Sequence, residues 1–301
     1  MLYLSYSGFK KYDQCPYAYW HSYIGKTPPA RPDDRLGSIF GSAIGVLFEE
    51  FYVQRWWKKR SDCQPFMIGQ VERIVDDILK RETSPGKWGS PGGVLLWRGF
   101  GEGKNPKALY GDRDELVADV KEAVVRGLRI VKHYRLLGPR AEAEKVLDCE
   151  VEGNKIGGRA DFIIRRTAPH GDLVLVDGKG SRHRDRYVDP KQLHWYAMLY
   201  RLHFNELPDR LAFLYWKFEP PNSIDWVEFS ESDLDLLLEE VMSAFRHIAE
   251  ARNQLPKKAD SLTMQGIARG LFRPKPNADN CRFCSYASKM TCPNGAGFAK
   301  T

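Results

Sequence analysis

A chain of 301 residues is long enough for one large domain or two small ones, at about 150 residues per domain. Its mix of 43% hydrophobic and 28% charged residues excludes disordered, collagen-like and membrane-embedded classes. Forty-six Lys and Arg against 39 Asp and Glu leave a formal charge of +7, a mild tilt towards polyanionic partners.

Ser5 or Ser7 is placed to cap a short helix through Tyr12, stopped by Cys15-Pro16. Lys10 and Lys11 arrive before any apolar stretch long enough for a secretory leader, so the expectation is a cytoplasmic protein. From 37 to 57, Phe40, Ile44, Leu47, Phe48 and Phe51 mark one buried stripe of a longer helix, and Gly41, Gly45 and Glu49 share an adjacent face. Arg55 to Arg60 closes that helix with two tryptophans inside a basic run. Residues 64–82 and 113–135 read as two further helices. Between them, 84–111 carries eight glycines and three prolines and reads as a loop.

After Gly138-Pro139 the pattern becomes extended: strands over 145–152, 155–166 and 172–179, with Gly153-Asn154 as the first turn. A helix from Pro190 to about Phe204, a strand pair at 211–218 and 224–229, and an amphipathic helix to about Gln254 follow. The result is an α/β arrangement with an irregular last segment, 256–301. The four parts expected are 1–58, a helical insertion at 59–140 matching nothing familiar, a catalytic core at 141–255, and a C-terminal cysteine segment at 256–301.

Alternation in 159–164 leaves Asp161 on the face opposite Ala160, Phe162 and Ile164. The next strand, Leu173 to Lys179, ends with Asp177 and Lys179 on one face. Strands about 4.8 Å apart bring Asp161 and Asp177 within reach of one divalent cation, with Lys179 beside it. Phosphodiester hydrolysis needs this set: hard oxygen ligands, an activated water and a cation near the phosphate. Asp-Gly-Lys alone is most often a solvated turn. Its weight comes from the acid on the preceding strand and from Gln192 and Tyr196 at i, i+4 on the following helix.

Six cysteines in a chain expected in the cytosol argue for metal or redox chemistry rather than disulfides. Cys281, Cys284 and Cys292 cluster near the end and Cys15 stands near the start. Four such thiolates suit Zn2+ or a [4Fe–4S] cluster. Cys63 and Cys149 read as small hydrophobes.

Gly158-Arg159-Ala160-Asp161, Asp177-Gly178-Lys179 and Gln192-x-x-x-Tyr196 together resemble motifs II, III and the Q-x-x-x-Y element of the RecB-type branch of the PD-(D/E)XK nuclease superfamily. Leu4-Ser5-Tyr6-Ser7, Tyr12 and Cys15-Pro16 resemble the opening of its iron–sulfur members, among them the AddB nuclease domain and the CRISPR-associated RecB-like exonuclease. The resemblance covers the first fifty residues, about 145–230 and the last twenty. It implies a restriction-endonuclease-like α/β core acting as a DNA nuclease, an exonuclease on single-stranded ends.

In that reading Asp161, Asp177 and the Gly178 carbonyl ligate Mg2+ or Mn2+. Lys179 orients the water and stabilises transition-state charge, and Gln192 and Tyr196 position it. Cys15, Cys281, Cys284 and Cys292 hold a [4Fe–4S] cluster, with Zn2+ as the alternative. The partners implied are DNA and a helicase, recombinase or CRISPR-adaptation protein. Relatives carry a metal-site histidine where this chain has Gly45; the nearest acid on that face is Glu49, a candidate ligand or a solvated charge. A chain that lost cleavage would be a DNA-end-binding or scaffold subunit. Arg182, Arg184 and Arg186 border the site as candidate phosphate contacts.

Overall fold

The computed structural model describes residues 2–27, 38–59, 62–83, 110–138, 140–166, 171–181, 184, 188–282, 284–288 and 291–297. In chain order these form β1 (Tyr3–Ser5), α1 (Tyr6–Gln14), α2 (Pro16–Tyr19) with a π-helical turn at Trp20–Ile24, α3 (Ser38–Val53), α4 (Trp56–Lys59) and α5 (Gln64–Thr83). Then come α6 (Arg113–His133), β2 (Arg140–Val151), β3 (Asn154–Arg165), β4 (Leu173–Lys179), α7 (Pro190–Phe204), β5 (Arg210–Tyr215) and β6 (Ile224–Val227). The chain closes with α8 (Glu231–Gln254), α9 (Ser261–Leu271), α10 (Ala278–Arg282) and α11 (Pro293–Ala296). No helix among the described residues is long and apolar enough to cross a membrane.

Two compact units share the chain, one comprising Met1–Asp33, Asp148–Gly158 and Glu231–Thr301, the other Asp34–Leu147 and Arg159–Ser230. In the second, β3 and β4 pair antiparallel, with Phe162 opposite Val176, and β4 and β5 pair parallel, with Asp177 opposite Phe213. β5 and β6 close the order antiparallel, and β2 pairs with β3. β4 begins as a continuous buried run, Leu173 to Val176, because a helix covers each of its faces. Val174 and Val176 enter the core built with Ile44, Phe48, Val71 and Val124 of α3, α5 and α6, while α7 packs on β4 and β5.

The other unit joins the chain's two ends. β1 runs parallel to the start of β3, with Leu4 opposite Ile156. The Ser5 hydroxyl caps α1, accepting from Gly8 N, as expected for that serine. Tyr12 OH and His247 Nδ1 share a hydrogen bond. Lys275 Nζ donates to Asp13 O at 2.9 Å, Asn280 Nδ2 to Gln14 O at 3.1 Å, and Ser22 Oγ to Tyr286 OH at 3.1 Å.

Several element limits differ from the sequence reading. The helix expected over 37–57 breaks at Arg55, whose φ of 52° ends one helix before Trp56 starts the next. Trp56 is buried against Phe66, a core tryptophan rather than a free stacking platform. The first hairpin turns on Glu152 and Gly153, with φ of 49° and 72°, not on Gly153-Asn154. Positive φ at both central residues is what a two-residue hairpin demands. β2 starts five residues before 145, and the described residues of the final segment, expected to be irregular, include the helices α9, α10 and α11. The loop reading for 84–111 falls outside the described residues except Tyr110 and Gly111.

Candidate active site

One residue beyond the Phe162–Val176 pair, the β3–β4 register sets Asp161 opposite Asp177. Asp161 Oδ2 accepts a hydrogen bond from Gly178 N at 2.8 Å. Lys179 Nζ stands 2.5 Å from Asp177 Oδ2 and donates to Gln192 Oε1 at 2.9 Å. Gln192 Nε2 in turn donates to Asp177 Oδ1 at 2.8 Å. One amide therefore ties the acid and the base of the Asp-Gly-Lys triplet together from both of its ends.

The local folding reasons are plain. Period two aligns Asp177 and Lys179, and Pro190 starts α7 at its first turn, so Gln192 projects from the helix beginning. Tyr196 lies one turn on, its hydroxyl 3.4 Å from Gln192 Nε2. Gly178 lies against Trp216: a Cβ there would meet the indole Nε1 at 2.8 Å. Lys179 sits over the Phe213 ring, 5.1 Å from its centroid.

Burial dominates the electrostatics. It pushes the Asp161 carboxyl well above the usual range; the Asp177 charge adds to this and the Gly178 N–H opposes it. Asp177, only 3% exposed, is also raised by burial and held back by Lys179. Burial likewise raises the Tyr196 phenol, with the Asp177 charge adding to it. The sequence reading missed Glu144, whose half-buried carboxyl is raised by burial, opposed by Arg159 at 2.6 Å, and raised further by Glu49 and Asp177. It lies one residue before the strand expected from 145, between Glu142 and Lys145, with no motif to single it out. Its φ of 50° inside a strand is the one signal a backbone, not a sequence, can give.

The donor set fits a hard divalent cation. Asp177 Oδ2 is buried beside the Lys179 ammonium, 2.5 Å away. Two raised carboxylates facing each other across a strand pair are short of positive charge. Among the described residues no three His, Cys, Asp or Glu side chains form a finished cation cage. Mg2+ does not need one: it keeps several waters and binds through one or two carboxylates and a substrate phosphate. Glu49, half-buried on α3, stands close enough to add its charge to that of Glu144. A Cβ at Gly45 would meet nothing within 4 Å.

In the other unit, Cys15, Cys281, Cys284 and Cys292 line one cavity of about 330 Å3, all as free thiols. Burial raises the Cys284 and Cys292 thiols, and the neighbouring cysteines raise them further. Cys63 packs against the helical core, as a small hydrophobe does. Arg184 is engaged by Asp225, by Asn222 O at 3.0 Å and by the Tyr215 ring. Arg182 and Arg186 lie outside the described residues.

A family model of the PD-(D/E)XK nuclease superfamily matches residues 3–293. The chain belongs to that superfamily. It is accordingly a nuclease fold of the phosphodiester-hydrolysing kind, with a nucleic acid as substrate, in a superfamily that typically uses Mg2+ or Mn2+. The mixed sheet flanked by helices is the architecture expected of it. Among solved structures, the chain is similar to a Eubacterium rectale protein named "Putative exonuclease", at 15% identity and a TM-score of 0.45, covering 94% of this chain and 85% of that one. It is also similar to a protein named SSO0001, at 20% identity and a TM-score of 0.29, covering 59% of this chain and 74% of that one. A search of curated proteins finds no match.

Proposed function

We propose that this PD-(D/E)XK protein is a Mg2+- or Mn2+-dependent DNA nuclease of the RecB-like branch, acting as an exonuclease on single-stranded ends. The observation that carries the reading is the Asp161–Asp177–Lys179 set closed by Gln192. Asp161, Asp177 and the Gly178 carbonyl would hold the cation, with Glu49 and Glu144 as further acids at its side. Such an ion would supply Lewis acidity and lower the pKa of a coordinated water below that of bulk water.

The chain's own residues do the rest. Gln192 accepts from Lys179 and so fixes the ammonium beside the carboxylates, where it stabilises charge building on the attacked phosphate. Tyr196, kept protonated by burial, supports Gln192. Arg182 and Arg186, three and seven residues past Lys179 in sequence, are the proposed contacts to backbone phosphates, and Arg184 would join them only by leaving Asp225 and Asn222 O.

Cys15, Cys281, Cys284 and Cys292 would hold a [4Fe–4S] cluster. The support is that all four cysteines line one cavity and that the resemblance supplies the distant Cys15, with Zn2+ as the alternative occupant. A reduced cytoplasmic setting suits the free thiols. A helicase, recombinase or CRISPR-adaptation protein is the class of partner that would deliver ends.

The test offers linear single-stranded, linear duplex and circular single-stranded DNA, with Mg2+ or Mn2+. Release of short products from the linear single strand, with circles left whole, is expected. Cleavage of circles would overturn the exonuclease reading, and intact DNA that is nonetheless shifted in a gel would replace it with an end-binding subunit.

A further inference from the structure

The cavity ringed by the four cysteines carries another functional group that the proposed ligands leave unused. His21, 0% exposed, lines the same cavity. Its ring is held on several sides: it stacks on Tyr286, with centroids 4.9 Å apart and planes 17° from parallel, and meets Tyr17 edge-on at 4.4 Å. Nδ1 is engaged by Thr27 Oγ1 at 2.9 Å. Among the described residues the buried Nε2 has no hydrogen-bond partner.

An unpaired buried polar atom is costly, so a fixed histidine with one idle nitrogen beside a cavity calls for a group that completes it. Burial lowers the imidazole to about 4, so it is neutral at pH 7. A neutral ring has one N–H. When the Thr27 hydroxyl donates to Nδ1, that proton sits on Nε2.

We propose that His21 Nε2–H donates a hydrogen bond to a sulfur of the iron–sulfur centre held by Cys15, Cys281, Cys284 and Cys292, and thereby raises its reduction potential. The inference rests on the cluster reading given above. Hydrogen bonds to cluster sulfurs stabilise the added electron, and they are among the levers that set such potentials. His21 is a positioning residue in this role, not a ligand. Tyr286 holds the ring plane, and Thr27 supports the Nε2–H tautomer when its hydroxyl donates to Nδ1.

The full chain, wild type beside His21→Leu and His21→Gln, is purified without oxygen and assayed for iron and acid-labile sulfide. The centre is then titrated electrochemically, with its electron paramagnetic resonance signal as readout. Expected are equal iron in all three, a lower potential in His21→Leu, and a return towards wild type in His21→Gln, whose amide nitrogen replaces the donor. If His21→Leu fails to hold iron, retention by His21→Gln carries the same conclusion. Equal potentials in wild type and His21→Leu at equal iron, or His21→Gln indistinguishable from His21→Leu in either readout, would overturn the proposal. Wild-type protein without iron and sulfide would overturn the cluster reading itself, an outcome distinct from iron present with an unmoved potential.

Discussion

Asp161 accepts its 2.8 Å hydrogen bond from the backbone N–H of Gly178, the residue between the other acid and the lysine. The donor is main chain, so the pose of Asp161 is set by the strand pairing itself. The same glycine lies under the Trp216 indole, where a Cβ would stand 2.8 Å from Nε1. Trp216 is buried and stacked on Phe48 at 4.4 Å, and has little room to give way. Gly178→Ala is expected to lower stability by about 1–3 kcal/mol through overpacking and to lower cleavage with it. Chemical denaturation beside a cleavage assay checks both.

The raised Asp161 has a consequence for stability without metal. Its folded pKa lies above the ordinary 3.8, so over the window above that value the folded chain retains a proton that the unfolded chain releases. Stability therefore falls as pH climbs through the window. Asp161→Asn removes the penalty: metal-free variant should melt above wild type at pH 8, by about 2–4 °C per kcal/mol, and the gap should shrink at pH 4. Added Mg2+ should stabilise wild type only. A variant melting below wild type at pH 8 would contradict the assignment.

Gln192 has two roles that a single substitution removes. In Gln192→Leu the buried Asp177 Oδ1 and the part-buried Lys179 ammonium each lose a neutral partner, while their own ion pair remains. Losing the hydrogen bonds to these charged groups costs about 1–3 kcal/mol in all, so melting should drop and turnover should fall about 10- to 100-fold, with KM for DNA nearly unchanged. A rise in KM alone would make Gln192 a substrate contact instead.

The cysteines divide into two classes with different expected responses. Cys281→Ser should deplete iron from the purified protein and lower its melting temperature, because a ligand set that closes the chain's two ends contributes folding free energy. Cys63→Ser, at a thiol packed against the helical core, should leave the iron content unchanged. Colorimetric iron determination on matched preparations distinguishes the two.

Much of this arrangement was legible in the sequence, and the limits have physical causes. Asp161, Asp177 and Lys179 could be placed together because strand alternation leaves little freedom once β3 and β4 pair, and Gln192 follows from the helix start at Pro190. α7 was readable at both ends, from Pro190 at its start to Asn205, which closes it with φ of 53°. Glu144 was not readable, since its approach to Asp177 depends on β2 pairing with β3 and on a positive φ inside a strand. The break at Arg55 was hidden because its positive φ falls on an arginine, with no Gly, Asn or Pro to mark it. His21 was hidden too: a histidine in an aromatic run gives no sign that one nitrogen will be buried unpaired. Gly45 was noticed for the histidine it lacks, whereas the fold shows open space beside it.

The most direct measurement is degradation of 5′- and 3′-labelled single-stranded DNA with and without Mg2+ or Mn2+, wild type beside Asp161→Ala and Lys179→Ala. Expected is cleavage by wild type that needs the cation, with losses of at least about 100-fold in both variants. Cleavage that persists in the variants, or that proceeds unchanged with chelator, would show that Asp161 and Lys179 are not the hydrolytic centre.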